Sequence, residues 1–248
     1  MNLEIIGEGA TAKVYRDGDK AIKLYASARA GEAEIEARLQ SLAARNGLPV
    51  PAVYGARKFG ESLTALEMAY ARGRLLHDDL LDESKSAKTL RAFVALQRKV
   101  HLARGDGFPR QADRIASDIK RNSRIEAGAK EKLLALLRRL DDGARQICHG
   151  DFHPRNILFD GKKHWIIDWI NATAGNPLAD ACRTYLILRE FSPKFSEAYL
   201  RLFCEEAAAS QDDALAWLPL TAAVRMAENI GEKSQAHSAE IVRKWAST

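Results

Sequence analysis

The sequence predicts an α+β protein in two parts, a small antiparallel sheet with one helix followed by a larger, mainly helical region. Three observations carry this expectation. Short apolar runs separated by glycine turns fill the first quarter of the chain. After Arg72-Gly73 the apolar period changes to that of helices, and one compact strand-rich segment, Ile147 to Asp168, interrupts those helices. The expected division is bilobal, 1–70 and 71–248, with a hinge near Met68 to Gly73.

Leu3 to Ile6 reads as a strand, followed by a glycine turn and a second strand, Ala12 to Arg16. The polar turn Asp17-Gly18-Asp19 leads into Ala21 to Tyr25, so the two runs form a hairpin. Ile35, Leu39 and Leu42 recur at helical spacing within Gly31 to Arg45, and Gly47-Leu48-Pro49 ends that helix. Val53 to Tyr54 and Leu63 to Met68 read as further strands. Helical periodicity then covers Thr89 to Arg104, Gln111 to Arg124, Lys130 to Arg145 and most of the chain from Ala179. Within the strand-rich segment, Asp160-Gly161-Lys162 marks a turn.

With 46% hydrophobic and 29% charged residues, the 248-residue chain has an ordinary globular composition. No apolar run reaches the length of a membrane span. The opening Met1-Asn2-Leu3-Glu4 lacks the pattern of a signal peptide, and the expected compartment is the cytoplasm. Cys148, Cys182 and Cys204 are odd in number and far apart, which suits reduced structural thiols. The formal charge of +5 comes from doublets such as Lys120-Arg121 and Arg138-Arg139 interleaved with acids. Doublets of this kind form solvated helix faces, so neither a nucleic-acid partner nor a membrane is expected.

The most informative stretch is His149-Gly150-Asp151-Phe152-His153-Pro154-Arg155-Asn156. Twelve residues after Asn156, the apolar run Trp165-Ile166-Ile167 delivers Asp168. Phosphoryl transfer from ATP needs a carboxylate near the attacking hydroxyl and oxygen ligands for magnesium. Asp151 fits the first need; Asn156 and Asp168 fit the second. His149 and His153 are read as shaping the loop.

These residues resemble the aminoglycoside phosphotransferase and choline kinase family, which shares its fold with protein kinases. The resemblance implies that Asp151 is the base and that Asn156 and Asp168 hold Mg²⁺. Asp168-Trp169, where protein kinases have Asp-Phe-Gly, points to the small-molecule branch. Gly175-Asn176-Pro177-Leu178-Ala179-Asp180 matches a further family segment, in which Asp180 supports the loop. Ile6-Gly7-Glu8-Gly9-Ala10-Thr11-Ala12-Lys13-Val14 resembles a kinase glycine-rich loop, with Ala12 in place of its third glycine. Gly7 and Gly9 would then let the backbone approach phosphates.

Nine residues after Val14, Lys23 stands among apolar strand residues, where a charge needs a partner. Glu36 is the chosen partner by its distance from Gly47-Leu48-Pro49, and Glu32 stays open as the alternative. Glu67 and Met68 match the family's adenine-binding hinge. The implied activity is an ATP- and Mg²⁺-dependent kinase acting on a hydroxyl of a small molecule. A protein kinase and a non-catalytic nucleotide-binding module are the competing readings.

Overall fold

The computed structural model describes every residue except 1–2, 10–11, 27–28, 229–230 and 248. Its contacts divide the chain into two compact units, one comprising Met1–Thr89 with Pro154–Asn171, the other Leu90–His153 with Ala172–Thr248.

In the first unit, β1 (Glu4–Glu8), β2 (Ala12–Asp17) and β3 (Lys20–Ala26) form an antiparallel meander. Asp17 pairs with Lys20 across a two-residue turn, where Gly18 takes a φ of 61°. Helix α1 (Ala30–Arg45) follows, then β4 (Val53–Phe59) and β5 (Leu63–Ala69), giving a five-stranded sheet in the order β1-β2-β3-β5-β4. Strand β4 is longer than the two residues its sequence suggested. The exposed Arg57 and Lys58 break the apolar signal, and Gly60 turns the chain at a φ of 66°. Small residues of α1, Ala33 and Ala37, pack against Tyr25, Leu66 and Met68, drawing the helix close to the sheet.

Strand β6 (Arg74–Leu75) and helix α2 (Leu76–Leu81) precede the long helix α3 (Glu83–His101). Helix α3 starts six residues before the expected Thr89. Asp82 initiates it by accepting the Ser84 N–H at 3.0 Å, and the polar run that follows carries no apolar period. Far along the chain, a 3-10 turn at Pro154–Asn156 leads into a hairpin that pairs with β6.

Helices α4 (Gln111–Arg121) and α5 (Ala127–Leu140) belong to the second unit. The expectation that α5 runs to Arg145 is corrected: Asp141 and Asp142 accept the N–H groups of Gly143 and Ala144, a local turn that competes with further helix. Strand β7 (Gln146–Cys148) comes next. The hairpin strands β8 (Ile157–Phe159) and β9 (His164–Ile166) complete a sheet of order β6-β8-β9 in the first unit. Asp160 closes their turn by accepting from the backbone of Lys162 and Lys163, each at 2.8 Å. Strand β10 (Thr173–Gly175) pairs with β7 in the second unit, so the stretch read as one strand-rich segment serves two sheets.

Helices α6 (Pro177–Phe191), α7 (Pro193–Ala207), α8 (Gln211–Leu215), α9 (Leu218–Arg225) and α10 (Glu232–Ala246) complete the second unit. Its core joins α4, α5, α6, α9 and α10 through Ile119, Leu133, Leu186, Leu220 and Val242. Among the described residues, no helix is long and apolar enough to cross a membrane.

Candidate active site

The first unit brings together three residues that lie far apart in sequence. Lys23 occupies β3, an interior strand of the sheet, and its side chain is 10% exposed. Its Nζ donates to Glu36 at 2.9 Å and to Asp168 at 3.0 Å. Glu36 lies on the α1 face that meets the sheet and also accepts a hydrogen bond from the Tyr25 hydroxyl. Glu32 instead pairs with Arg29 at 3.1 Å, so the open choice between the two glutamates resolves to Glu36. Burial alone would lower the Lys23 pKa, but the charges of Asp168 and Glu36 outweigh it and hold the ammonium protonated. Burial, reinforced by Glu36, pushes the Tyr25 phenol up, so it remains a donor.

Asp168 follows β9 and adopts a φ of 64°, a left-handed conformation that non-glycine residues seldom take. Trp169, fully buried, donates its indole N–H to the Ile166 carbonyl at 3.0 Å and anchors this turn. The buried Asn156 ends the 3-10 turn at Pro154–Asn156, and its carbonyl accepts the Ile167 N–H at 3.0 Å. Ile157 pairs with Ile166, so the hairpin register carries Asn156 back beside the Asp168 segment. An amide oxygen and a carboxylate form a hard donor set, suited to Mg²⁺ that keeps its remaining ligands as water and phosphate. Asn156 and Asp168 therefore fit the ion.

Gly7 and Gly9 flank the end of β1. A Cβ at Gly7 would come no closer than 3.7 Å to Val14, and one at Gly9 3.5 Å to the Ala12 carbonyl, both ordinary contacts. Neither glycine has a positive φ. The fold itself does not demand glycine at either place, and what the pair provides is bare backbone. Ala10 and Thr11, within the same loop motif, lie outside the described residues. Ala12, at the third glycine position, is a β2 residue packed in the sheet core. Glu67 and Met68 lie in β5, flanked on both sides by strands, and the Glu67 carboxylate pairs with Arg57 and Lys20.

The second unit holds Asp151 on the loop after β7. Asp180, at the start of α6, organises this loop. Its carboxylate accepts the Gly150 N–H at 2.7 Å and the His149 N–H at 3.3 Å, while also meeting His101 Nε2 at 2.9 Å and Gln97. Gly150 takes a φ of 76°, which turns the chain immediately before Asp151. Phe152 is buried against Phe93, and its carbonyl accepts from Thr184. The Asp151 carboxylate faces His153 Nε2 at 3.4 Å and Arg183 at 3.5 Å. Burial by itself would raise its pKa, but the His153 hydrogen bond and the charges of His153, Arg183 and His149 outweigh it and hold the carboxyl well below the usual range. Cys148, buried beside this loop, has its thiol pushed up by burial and by Asp180, so it is no thiolate nucleophile.

Arg183 and Glu228 were not anticipated from sequence. Arg183 sits within the apolar period of α6 and Glu228 follows α9, so no local signal joins them.

A family model described as the phosphotransferase enzyme family (APH) matches residues 2–218. No curated protein matches the sequence. Among solved structures, a thermostable mutant of aminoglycoside phosphotransferase APH(4)-Ia, in ternary complex with AMP-PNP and hygromycin B, superposes with a TM-score of 0.72 at 18% identity. That match covers 99% of this chain and 93% of the other. A choline/ethanolamine kinase family protein from Mesorhizobium loti gives a TM-score of 0.62 at 17% identity, covering 100% and 89%. The GDP complex of aminoglycoside 2'-phosphotransferase-IIIa gives 0.62 at 13% identity, covering 100% and 93%. The α+β fold expected from sequence is therefore the kinase-like fold of these enzymes, and the chain belongs to the phosphotransferase enzyme family.

Proposed function

We propose that this chain is a kinase that transfers the γ-phosphoryl group of ATP to a hydroxyl of a small molecule in a Mg²⁺-dependent reaction. The observation that carries this reading is the buried Lys23, held between Glu36 and Asp168. A protonated lysine pinned in a sheet by a helix glutamate is pre-organised to meet the α- and β-phosphates. The APH(4)-Ia neighbour, which binds AMP-PNP, supports the nucleotide.

In this mechanism Lys23 and the bare backbone at Gly7 and Gly9 hold the triphosphate, and main chain near Glu67 and Met68 meets the adenine. Asn156 and Asp168 would hold Mg²⁺, which neutralises charge developing on the phosphate oxygens. Asp151 orients the acceptor hydroxyl. As the new oxygen–phosphorus bond forms and the bond to the β-phosphate oxygen breaks, Asp151 accepts the hydroxyl proton and later releases it to water; ADP departs. The transition state is largely dissociative, so the proton moves late and a weakly basic carboxylate suffices. Most of the rate enhancement comes from positioning and charge stabilisation.

A polycationic acceptor would call for a cleft of acids such as Asp79, Asp82 and Asp213, and a quaternary ammonium for an aromatic cage of residues such as Tyr185, Trp217 and Trp245. Asp79 pairs with Arg74 at 2.8 Å, Asp82 caps α3, and Ser210 engages Asp213 at the start of α8, so these acids have structural employment. Trp217 and Trp245 pack in the helical core, and the Tyr185 hydroxyl donates to Glu197. These observations support neither a polycation cleft built from those acids nor an aromatic cage built from those rings.

The test is ATP consumption with magnesium against aminoglycosides, choline, ethanolamine, thiamine and simple sugars, with Asp151→Asn as the blank. Acceptor-stimulated turnover in the wild type alone is the expected result. Absence of ATP binding would overturn the reading, and ATP binding without turnover of any acceptor would favour the non-catalytic nucleotide-binding module.

A further inference from the structure

Arg183 lies within α6, and its side chain is 10% exposed. One terminal nitrogen, Nη2, lies 2.7 Å from Glu228 and 3.5 Å from Asp151. Its Nε is buried and makes no hydrogen bond among the described residues, so the two carboxylates fix the guanidinium. Glu228 is itself held by Arg225 at 3.6 Å, and Arg225, 5% exposed, pairs with Glu190. An alternating chain of charges thus runs from Glu190 through Arg225, Glu228 and Arg183 to Asp151, all within the second unit. Glu228 also belongs to the wall of an open cleft of about 530 Å³, with Asp118, Asn122, Arg124, Met226 and Gln235.

Buried arginines in ion-pair chains are costly to desolvate, and apolar residues would fill the same volume at least as stably. Stability therefore does not explain why two arginines occupy this position. We propose that Arg183 is a positioning residue for the transfer, held in place by Glu228, and that it sets the direction of the Asp151 carboxylate. The inference rests on the reading of Asp151 as the base. His149 and His153 face Asp151 from its own loop, and Arg183 is the cation that reaches it from a helix. Asp180 also lies in the electrostatic surroundings of Arg183, while Arg114 lies in those of Arg183, Glu228, Asp118 and Arg121. A guanidinium suits this task because it is planar, permanently charged and able to place a single nitrogen between two carboxylates.

The experiment compares Arg183→Met, Arg183→Lys and Glu228→Gln with the wild type, in steady-state kinetics and in the carboxyl carbon resonance of Asp151, assigned with Asp151→Asn. Arg183→Met is expected to lower kcat by about 10²-fold, the loss typical of a small misplacement at a reacting centre, with the KM for ATP within twofold. Arg183→Lys should recover part of kcat, and Glu228→Gln should fall in between. The Asp151 resonance should move in Arg183→Met and Glu228→Gln. Should Arg183→Met not fold, Arg183→Lys and Glu228→Gln carry the same comparison. A kcat within twofold of wild type in all folded variants, or an unmoved Asp151 resonance, would overturn the proposal. If no acceptor supports turnover, the kinase reading is what fails, and the resonance still decides whether Arg183 orients Asp151.

Discussion

The two charged clusters have opposite designs. In the first unit a single cation, Lys23, sits between the carboxylates of Glu36 and Asp168. In the second a single carboxylate, Asp151, sits among Arg183, His149 and His153. The first cluster has one more negative than positive charge, and so favours a further cation. The second keeps its carboxylate ionised and only weakly basic at neutral pH. On the proposed function, the first arrangement suits phosphates held beside a metal, and the second suits a carboxylate that orients a hydroxyl. The glycines divide in a parallel way. At Gly7 and Gly9 a Cβ would be tolerated, whereas at Gly175 it would collide with the Gln111 side chain and at Gly105 it would lie 2.6 Å from the Ala174 Cβ.

The sharpest way to break the comparison is Asp151→Asn. It should lower acceptor-dependent turnover by about 10²- to 10⁴-fold while leaving ATP affinity close to wild type. Loss of ATP binding instead would mean that the two clusters do not divide the work in this way.

Lys23→Met should act on stability as well as on nucleotide binding. It strands Glu36, whose side chain is 1% exposed, without its cation, and unfolding in guanidinium should show a loss of about 3–5 kcal/mol. Glu32→Ala removes only the half-exposed partner of Arg29 and should change stability by about 1 kcal/mol or less. Equal losses from the two would show that the Lys23 pair is not desolvated as described.

Asp180 supplies a pH-dependent contrast. Burial pushes its pKa up, but the His101 hydrogen bond and charge, with the Gly150 N–H, win and hold it below the usual carboxylate value. A group depressed in the folded state contributes stability in full above its unfolded value of about 3.9, and loses it as pH falls through the folded value. The wild-type unfolding midpoint should therefore drop on acidification below about pH 4. Asp180→Asn should be less stable at pH 7 and flatter across that acid window. A parallel decline in both proteins would remove Asp180 from the account.

The smallest effects are expected at the glycine loop. Gly7→Ala and Gly9→Ala should leave the thermal midpoint nearly unchanged and raise the KM for ATP several-fold, on the order of 1 kcal/mol. Gly175→Ala should lower the midpoint because backbone and Gln111 must move apart. A large loss of stability in Gly9→Ala would assign that glycine to the fold instead.

Much of this organisation was legible in the chain. The apolar run around Lys23, the helical period through Glu36, and the spacing from Asp151 to Asn156 and Asp168 are local patterns, because strand and helix periods are set by neighbouring residues. Where reading failed, locality failed. The start of α3 was missed because the polar run before Thr89 is solvated on all sides and shows no period. The segment from Ile147 to Asp168 looked like one unit because chain order does not reveal that β7 pairs with β10 while β8 and β9 pair with β6.

The sequence by itself determined which elements form and which residue types the proposed chemistry uses, since propensity, turns and apolar period are written in short windows. Only the tertiary structure decided that Lys23 takes Glu36 over Glu32, that Tyr25 joins them, and that Arg183 reaches from α6 to Asp151 while Glu228 holds it. Those pairings depend on how helices pack on sheets and on each other across about ten to forty-five residues of chain. Burial turns such a meeting into a specific interaction, because a desolvated charge without its partner is far more costly than one left in water.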